Sequence, residues 1–121
     1  MTMEKANLLE KFGSFQDHWS PKVAADINDF QLKLVKLKGE FVWHHHADED
    51  ELFLVARGRL TIRFRDGEVV LEPNDFLVVP RGVEHMPVAE EEAWVVLLEP
   101  ATTRNTGNVT SERTVAELGR V

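Results

Sequence analysis

The sequence predicts an all-β sandwich or barrel, and three observations lead there. Short apolar runs, LFLVA at 52–56, FLVVP at 76–80 and AWVVLL at 93–98, are separated by Gly, Pro or acidic segments of turn composition. A hairpin with matched faces is written into residues 59–71, and no helical periodicity occurs between residues 30 and 99. Many short strands at such spacing favour antiparallel layers over βαβ units, so any helix must lie outside the core. The chain divides accordingly into an N-terminal helix and arm (1–29), a β core (30–100) and a C-terminal tail (101–121) that packs on the core or extends from it.

Each element has its own warrant. Residues 4–12 place Leu8, Leu9 and Phe12 at helical spacing, with Gly13 as the stop, so a short helix is expected. Residues 15–28 are irregular and contain Trp19 and Pro21, which reads as an arm lying against the main body. Phe30, Leu32 and Leu34 alternate before Val35 and Leu37 continue in the opposite phase, predicting a strand that is bulged or buried on both faces. Leu60, Ile62 and Phe64 alternate with Arg59, Thr61, Arg63 and Arg65. Asp66-Gly67 supplies a two-residue type I′ turn that would set Phe64 opposite Val69 and Ile62 opposite Leu71. The basic stripe Arg57, Arg59, Arg63 and Arg65 is expected to pair with neighbouring acids. Beyond Ala101 the polar stretch TTRNTGNVTSERT reads as an extended tail or covering loop, with a last helical turn at 114–118.

Composition sets the outer limits. A chain of 121 residues fits one domain, and 43% hydrophobic with 29% charged residues can build a core without staples. The net charge is −7, and protonating all five His would still leave −2, which disfavours nucleic acid or an anionic membrane as partner. With no cysteine, disulfides, thiolate nucleophiles and Cys-ligated metal sites are excluded, and the lack of tyrosine removes another acid–base candidate. The start MTMEKANLLEKFG has no apolar leader and no 18-residue apolar run occurs, so a cytoplasmic protein is expected.

The chemistry concentrates in the histidines. On a strand, His44 and His46 share one face while Trp43 and His45 point away. Cα atoms two residues apart lie roughly 6.6 Å from each other, a span from which two imidazoles can converge on one ion. Glu51 follows a turn of Ala47-Asp48-Glu49-Asp50 and opens the next strand on the ligand side, followed inward by Phe53 and Val55. Asp48, Glu49 and Asp50 read as a solvated turn. In PNDFLVVPRGVEH, Phe76 to Val79 form a strand, Pro80-Arg81-Gly82 a tight turn, and His85 the start of the return strand. His18, beside Trp19, is assigned a surface or packing role. Trp43 and Trp94 are expected to be core or interface anchors, and Arg81 to be a solvent-exposed turn residue.

His44-x-His46, four residues, Glu51, six residues and Gly58 resemble the first motif of the cupins; Asn74, five residues, Pro80-x-Gly82, two residues and His85 resemble the second. Asn74 stands where the family has glycine, and Asn also accepts the left-handed conformation. The resemblance implies a double-stranded β-helix, a jelly-roll barrel. It also implies a ligand set of His44, His46, Glu51 and His85 for one divalent transition metal, be it Fe, Mn, Ni, Zn or Cu. Three imidazoles and one carboxylate suit such an ion and can leave positions open for water or substrate. The implied function is a metal-dependent cupin acting on a small oxygen-rich molecule, of sugar or keto acid type, that coordinates the ion. Isomerisation, dioxygenation and hydrolysis all stay open. The alternative is a non-catalytic ligand-binding or metal-binding module, and family habit suggests a homodimer.

Overall fold

A computed structural model describes residues 3–121. Among these residues one helix, α1 (Leu8–Phe12), precedes eight strands: β1 (Lys22–Ile27), β2 (Phe30–Glu40), β3 (Glu51–Arg57), β4 (Leu60–Phe64), β5 (Gly67–Leu71), β6 (Phe76–Val79), β7 (His85–Pro100) and β8 (Gly119–Arg120). The sixteen-residue β7 is the spine. Its C-terminal part pairs with β2 on one side and β3 on the other, and β3 passes the ladder to β6. Its N-terminal part pairs with β4, which continues to β5. One strand thus serves two layers of the barrel.

The change of layer falls at Glu90-Glu91-Glu92. Leu37 pairs with Ala93 and Gly39 with Ala89, so β7 carries extra residues there. A bulge of this kind bends the strand without breaking it. The acidic segment, expected to be a turn before a separate strand, is therefore a bulge in a continuous one.

β2 is buried on both faces, and its register against β7 is unbroken from Phe30 to Leu37. Val35 and Leu37 enter the interior with Phe53, Val55, Leu60, Ile62, Val95 and Leu97. Leu34 and Val96 face outward and are covered by Phe12 and Phe15. That outer cluster explains the short helix. Asn7 caps it by accepting from the Glu10 N–H (3.0 Å), and its one buried residue, Phe12, stacks on Trp94 with ring centroids 5.1 Å apart. The helix begins at Leu8 rather than in the 4–7 segment.

Three local expectations are corrected. Residues 22–27, read as irregular arm, form β1, whose order comes from pairing with β2 rather than from any alternation of its own. The hairpin pairs Ile62 with Val69 and Phe64 with Gly67. Arg65 and Asp66 therefore form the turn, and neither has the positive φ that type I′ requires. The observed register sets Leu60 opposite Leu71, both in the interior cluster, so core packing overrides the turn preference of Asp-Gly. Residues 114–118 are not helical. Thr114 Oγ1 accepts from the Ser111 N–H (3.0 Å) and lies 2.7 Å from Thr106 Oγ1, local bonds that compete with a helix. The tail packs on the barrel, with Thr103 and Thr106 buried and β8 running parallel to β1.

Candidate metal centre

The two motif segments are joined by backbone. The His44 N–H donates to the His85 carbonyl (3.1 Å), the His85 N–H returns to the His44 carbonyl (2.9 Å), and the Gly82 N–H donates to the His46 carbonyl (2.7 Å). Asp50 accepts from the Arg81 N–H (2.9 Å), so one member of the acidic turn holds the opposite turn in place. Asn74 (φ 75°) and Gly82 (φ 81°) supply the left-handed residues that these turns need.

The result is a buried cluster of His44, His46, Glu51 and His85, with one potential ligand atom from each lying within 4.8 Å of all the others. Glu51 Oε1 lies 3.3 Å from His46 Nε2 and 3.4 Å from His85 Nε2. His44 and His85 are oriented alike: each Nδ1 sits 2.9 Å from the carbonyl two residues earlier, Val42 or Val83. A carbonyl can only accept, so Nδ1 carries the proton and Nε2 presents its lone pair to the centre. His46 Nε2, Glu51 Oε1 and His85 Nε2 are buried without hydrogen-bond partners. Buried polar atoms of this kind cost stability unless something satisfies them, and a cation among them would do so. The donor set fits a divalent first-row metal ion.

Electrostatics agree with a neutral His44 imidazole and an ionised Glu51 carboxylate. Burial, with the neighbouring His85, lowers the His44 pKa from 6.5 to about 4. Burial would raise Glu51, but the polar groups packed against it, the Glu99 carboxyl and the His46 and His85 rings, outweigh it and hold this carboxyl well below the ordinary carboxylate range. Glu99 moves the other way: burial first, and then the Glu51 charge beside it, push it well above that range against the pull of Lys33.

Glu99 and Lys33 are the residues that sequence reasoning missed. Both are buried, with Lys33 Nζ 2.9 Å from Glu99 Oε2 and 3.4 Å from the Thr103 carbonyl. Each carried a signal. Lys33 lies in phase with Val35 and Leu37, and Glu99 with Val95 and Leu97, so both are charges in an inward-facing register.

The other candidates fall outside the cluster. His45 points elsewhere, its N–H and carbonyl both bonded to Asn108 (2.9 and 3.1 Å). His18 Nε2 pairs with Glu92 at the surface (2.7 Å), and Arg81 is exposed. Trp43 lies under the Arg65 guanidinium and Trp94 under that of Arg57. Of the basic stripe, Arg59 and Arg65 pair with Glu72 (2.9 Å) and Glu84 (3.4 Å), just beyond the strand ends, while Arg57 is engaged with Trp94 instead. The tail closes over the site at Gly107 (φ 54°), where a Cβ would overlap the His45 carbonyl and press on the His44 ring.

Comparison with known proteins places this geometry. The chain is 47% identical over 80 residues to the Bacillus subtilis protein YdbB, covering 65% of this chain and 71% of that one. It is 35% identical over 69 residues to acireductone dioxygenase of Bacillus cytotoxicus, covering 54% of this chain but only 39% of that enzyme. The crystal structure of a cupin-2 domain containing protein from Shewanella frigidimarina superposes with a TM-score of 0.78 at 52% identity, over 78% of this chain and 93% of that one. The family model for the cupin domain matches residues 33–100, which hold all four residues of the cluster. With more than half of its length inside that match and the barrel and buried His/Glu cluster both present, the chain belongs to the cupins.

Proposed function

We propose that this protein holds one divalent transition metal on His44, His46, Glu51 and His85 and acts on a small oxygen-rich molecule, of sugar or keto acid type, that coordinates the ion. The observation that carries the reading is the convergence of four buried ligand atoms within 4.8 Å, three of them without any other partner. A bound ion of this class supplies Lewis acidity toward an oxygen donor of the ligand. The protein's own residues set the frame. Val42 and Val83 fix the His44 and His85 tautomers, Glu51 provides the single ligand charge, and the Lys33–Glu99 pair backs that carboxylate. Phe41, edge-on to His44 with ring centroids 5.3 Å apart, and Phe53, edge-on to His85 at 6.0 Å, keep bulk water from the imidazoles.

A second reading, a non-catalytic binding module, is favoured by one feature: outside the ligand set, the only buried carboxyl among the described residues beside the cluster is Glu99, already engaged by Lys33. Elemental analysis of protein expressed without added metal, followed by turnover assays with the copurifying ion, tests both. One ion per chain with turnover of an aldose or 2-oxo acid supports the enzyme. One ion without turnover supports the module, and no ion defeats both readings.

A net charge of −7 supports small-molecule rather than nucleic-acid or membrane partners, and no helix is long and apolar enough to cross a membrane. Phe76 (66% exposed) and Val78 (48%) project from edge strand β6, an apolar surface suited to a second copy, so the working assembly is taken as a homodimer in the cytoplasm. The chain is divided into an N-terminal helix and arm, a barrel that β1 joins, and a packed tail.

A further inference from the structure

Beside His44 lies a cavity of about 40 Å³, walled chiefly by Trp19, Leu37, Phe41, Phe53 and Leu97. That exceeds the roughly 10–15 Å³ that one water needs, yet the almost wholly apolar lining offers a water few of the two to four polar partners it requires. Every polar side chain on its wall is already engaged. Trp19 Nε1 donates to the Lys38 carbonyl (2.8 Å) and His44 Nδ1 to that of Val42 (2.9 Å). The Asn105 amide donates to the Arg113 carbonyl (2.7 Å) and accepts from the Val115 N–H (3.0 Å). A hydroxyl entering here would lose its water and gain no partner, whereas a methyl or ethyl group would fit without penalty.

A second observation is independent of this lining. Trp19 holds φ at 62°, a left-handed backbone that a bulky side chain rarely adopts, yet it is buried and stacked on Phe41 with centroids 4.8 Å apart at 7°. Strain of this kind persists where surrounding contacts over-determine it, and it clusters at ligand clamps. Here it presents a flat aromatic wall to the cavity, directly next to a metal-ligating imidazole.

We infer that the small molecule is a chelating acid with a short apolar tail, such as a 2-oxo acid, whose oxygens meet the ion while the tail lodges against Trp19, Phe41 and Leu37; polyhydroxylated sugars are selected against. This rests on the metal-and-chelate reading above and narrows it. Tail selectivity belongs to residues that touch neither the ion nor its ligands' bonding atoms.

The test is a titration of the Co(II)-loaded protein, followed by visible absorption, with glyoxylate, pyruvate, 2-oxobutanoate and D-xylose. Affinity should rise about fourfold per added methylene, the factor given by about 0.8 kcal/mol for each buried CH₂, with xylose weakest. In Leu37→Ala the preference should move to a longer tail such as 2-oxohexanoate; the wild-type series decides alone if that variant does not fold. Equal affinities along the series, or xylose binding as tightly as 2-oxobutanoate, would overturn the tail assignment while leaving the metal-and-chelate reading intact. Failure to take up cobalt, or a cobalt spectrum that no compound perturbs, would defeat that earlier reading and this one with it.

Discussion

His46 has two buried ring nitrogens without partners, whereas His44 and His85 each fix one ring nitrogen on a carbonyl. Its orientation therefore depends most on whatever occupies the centre. His46→Ala should abolish stoichiometric metal and, because an ion bound only to the native state adds stability, should lower the melting temperature of protein purified with metal. Mass-spectrometric metal analysis checks this, and unchanged content would remove His46 from the ligand set. Glu99→Gln keeps the shape of the residue behind Glu51 but removes its ability to ionise. Partners that orient a metal ligand typically contribute 10–100-fold in affinity, so competition with a chelating dye should show a loss in that range with full stoichiometry at saturation. The spacing of His44, His46 and Glu51 is a short-range feature and was legible as such, whereas His85, from the second motif, joined the set only through the resemblance of both motifs to the cupins. The Lys33–Glu99 pair was not legible, since it joins residues 66 positions apart whose adjacency exists only once β2 and β7 are in register.

Among the elements, those defined by local alternation were legible and those defined by a neighbour were not. The two-sided burial of β2, the β3 start at Glu51 and the strand–turn–strand path from Phe76 to His85 all follow from side-chain period and turn residues. β1 and the β4–β5 register depend instead on what they pair with, and there packing prevails over local propensity. The N-terminal helix is the clearest case of an element supported by tertiary contact. Five residues are too few to hold a helix alone, so Phe12, fully buried against Phe15, Leu34, Val96 and Trp94, anchors it. Phe12→Ala should cost about 3–5 kcal/mol by denaturant unfolding. Because that cluster lies on the outer face of the sheet, metal stoichiometry of the folded variant should be unchanged; loss of metal would mean that the helix shapes the site. At the other end, Gly107→Ala places a methyl against the His45 carbonyl at a positive φ. A cost of about 1–3 kcal/mol is expected in the same measurement, accompanied by weaker metal binding as the tail lifts from His44.

For the whole molecule, two buried groups in one interior give opposite dependences on pH. In metal-free protein His44 remains neutral to about pH 4, whereas in the unfolded chain it protonates below 6.5. The unfolded state therefore binds the extra proton first, and stability present above pH 6.5 is lost on acidification toward 4, by on the order of 3 kcal/mol. Glu99 acts in the other sense. Its folded pKa is raised, mainly by burial, so its contribution is complete below the unfolded value near 4.5 and is lost as pH rises toward the folded one. Glu51, held low, contributes above 4.5 and loses that contribution only at lower pH. Between pH 4.5 and 6.5 the His44 and Glu99 effects oppose each other, and wild-type metal-free protein should show a flattened pH–stability curve there. Replacing Glu99 by Gln removes one of the two. Denaturant unfolding of metal-free Glu99→Gln should then fall steeply from pH 6.5 to 4, following the imidazole alone. A curve as flat as wild type in that variant would mean that His44 is not held neutral by its burial, and the electrostatic account of the centre would need a different source.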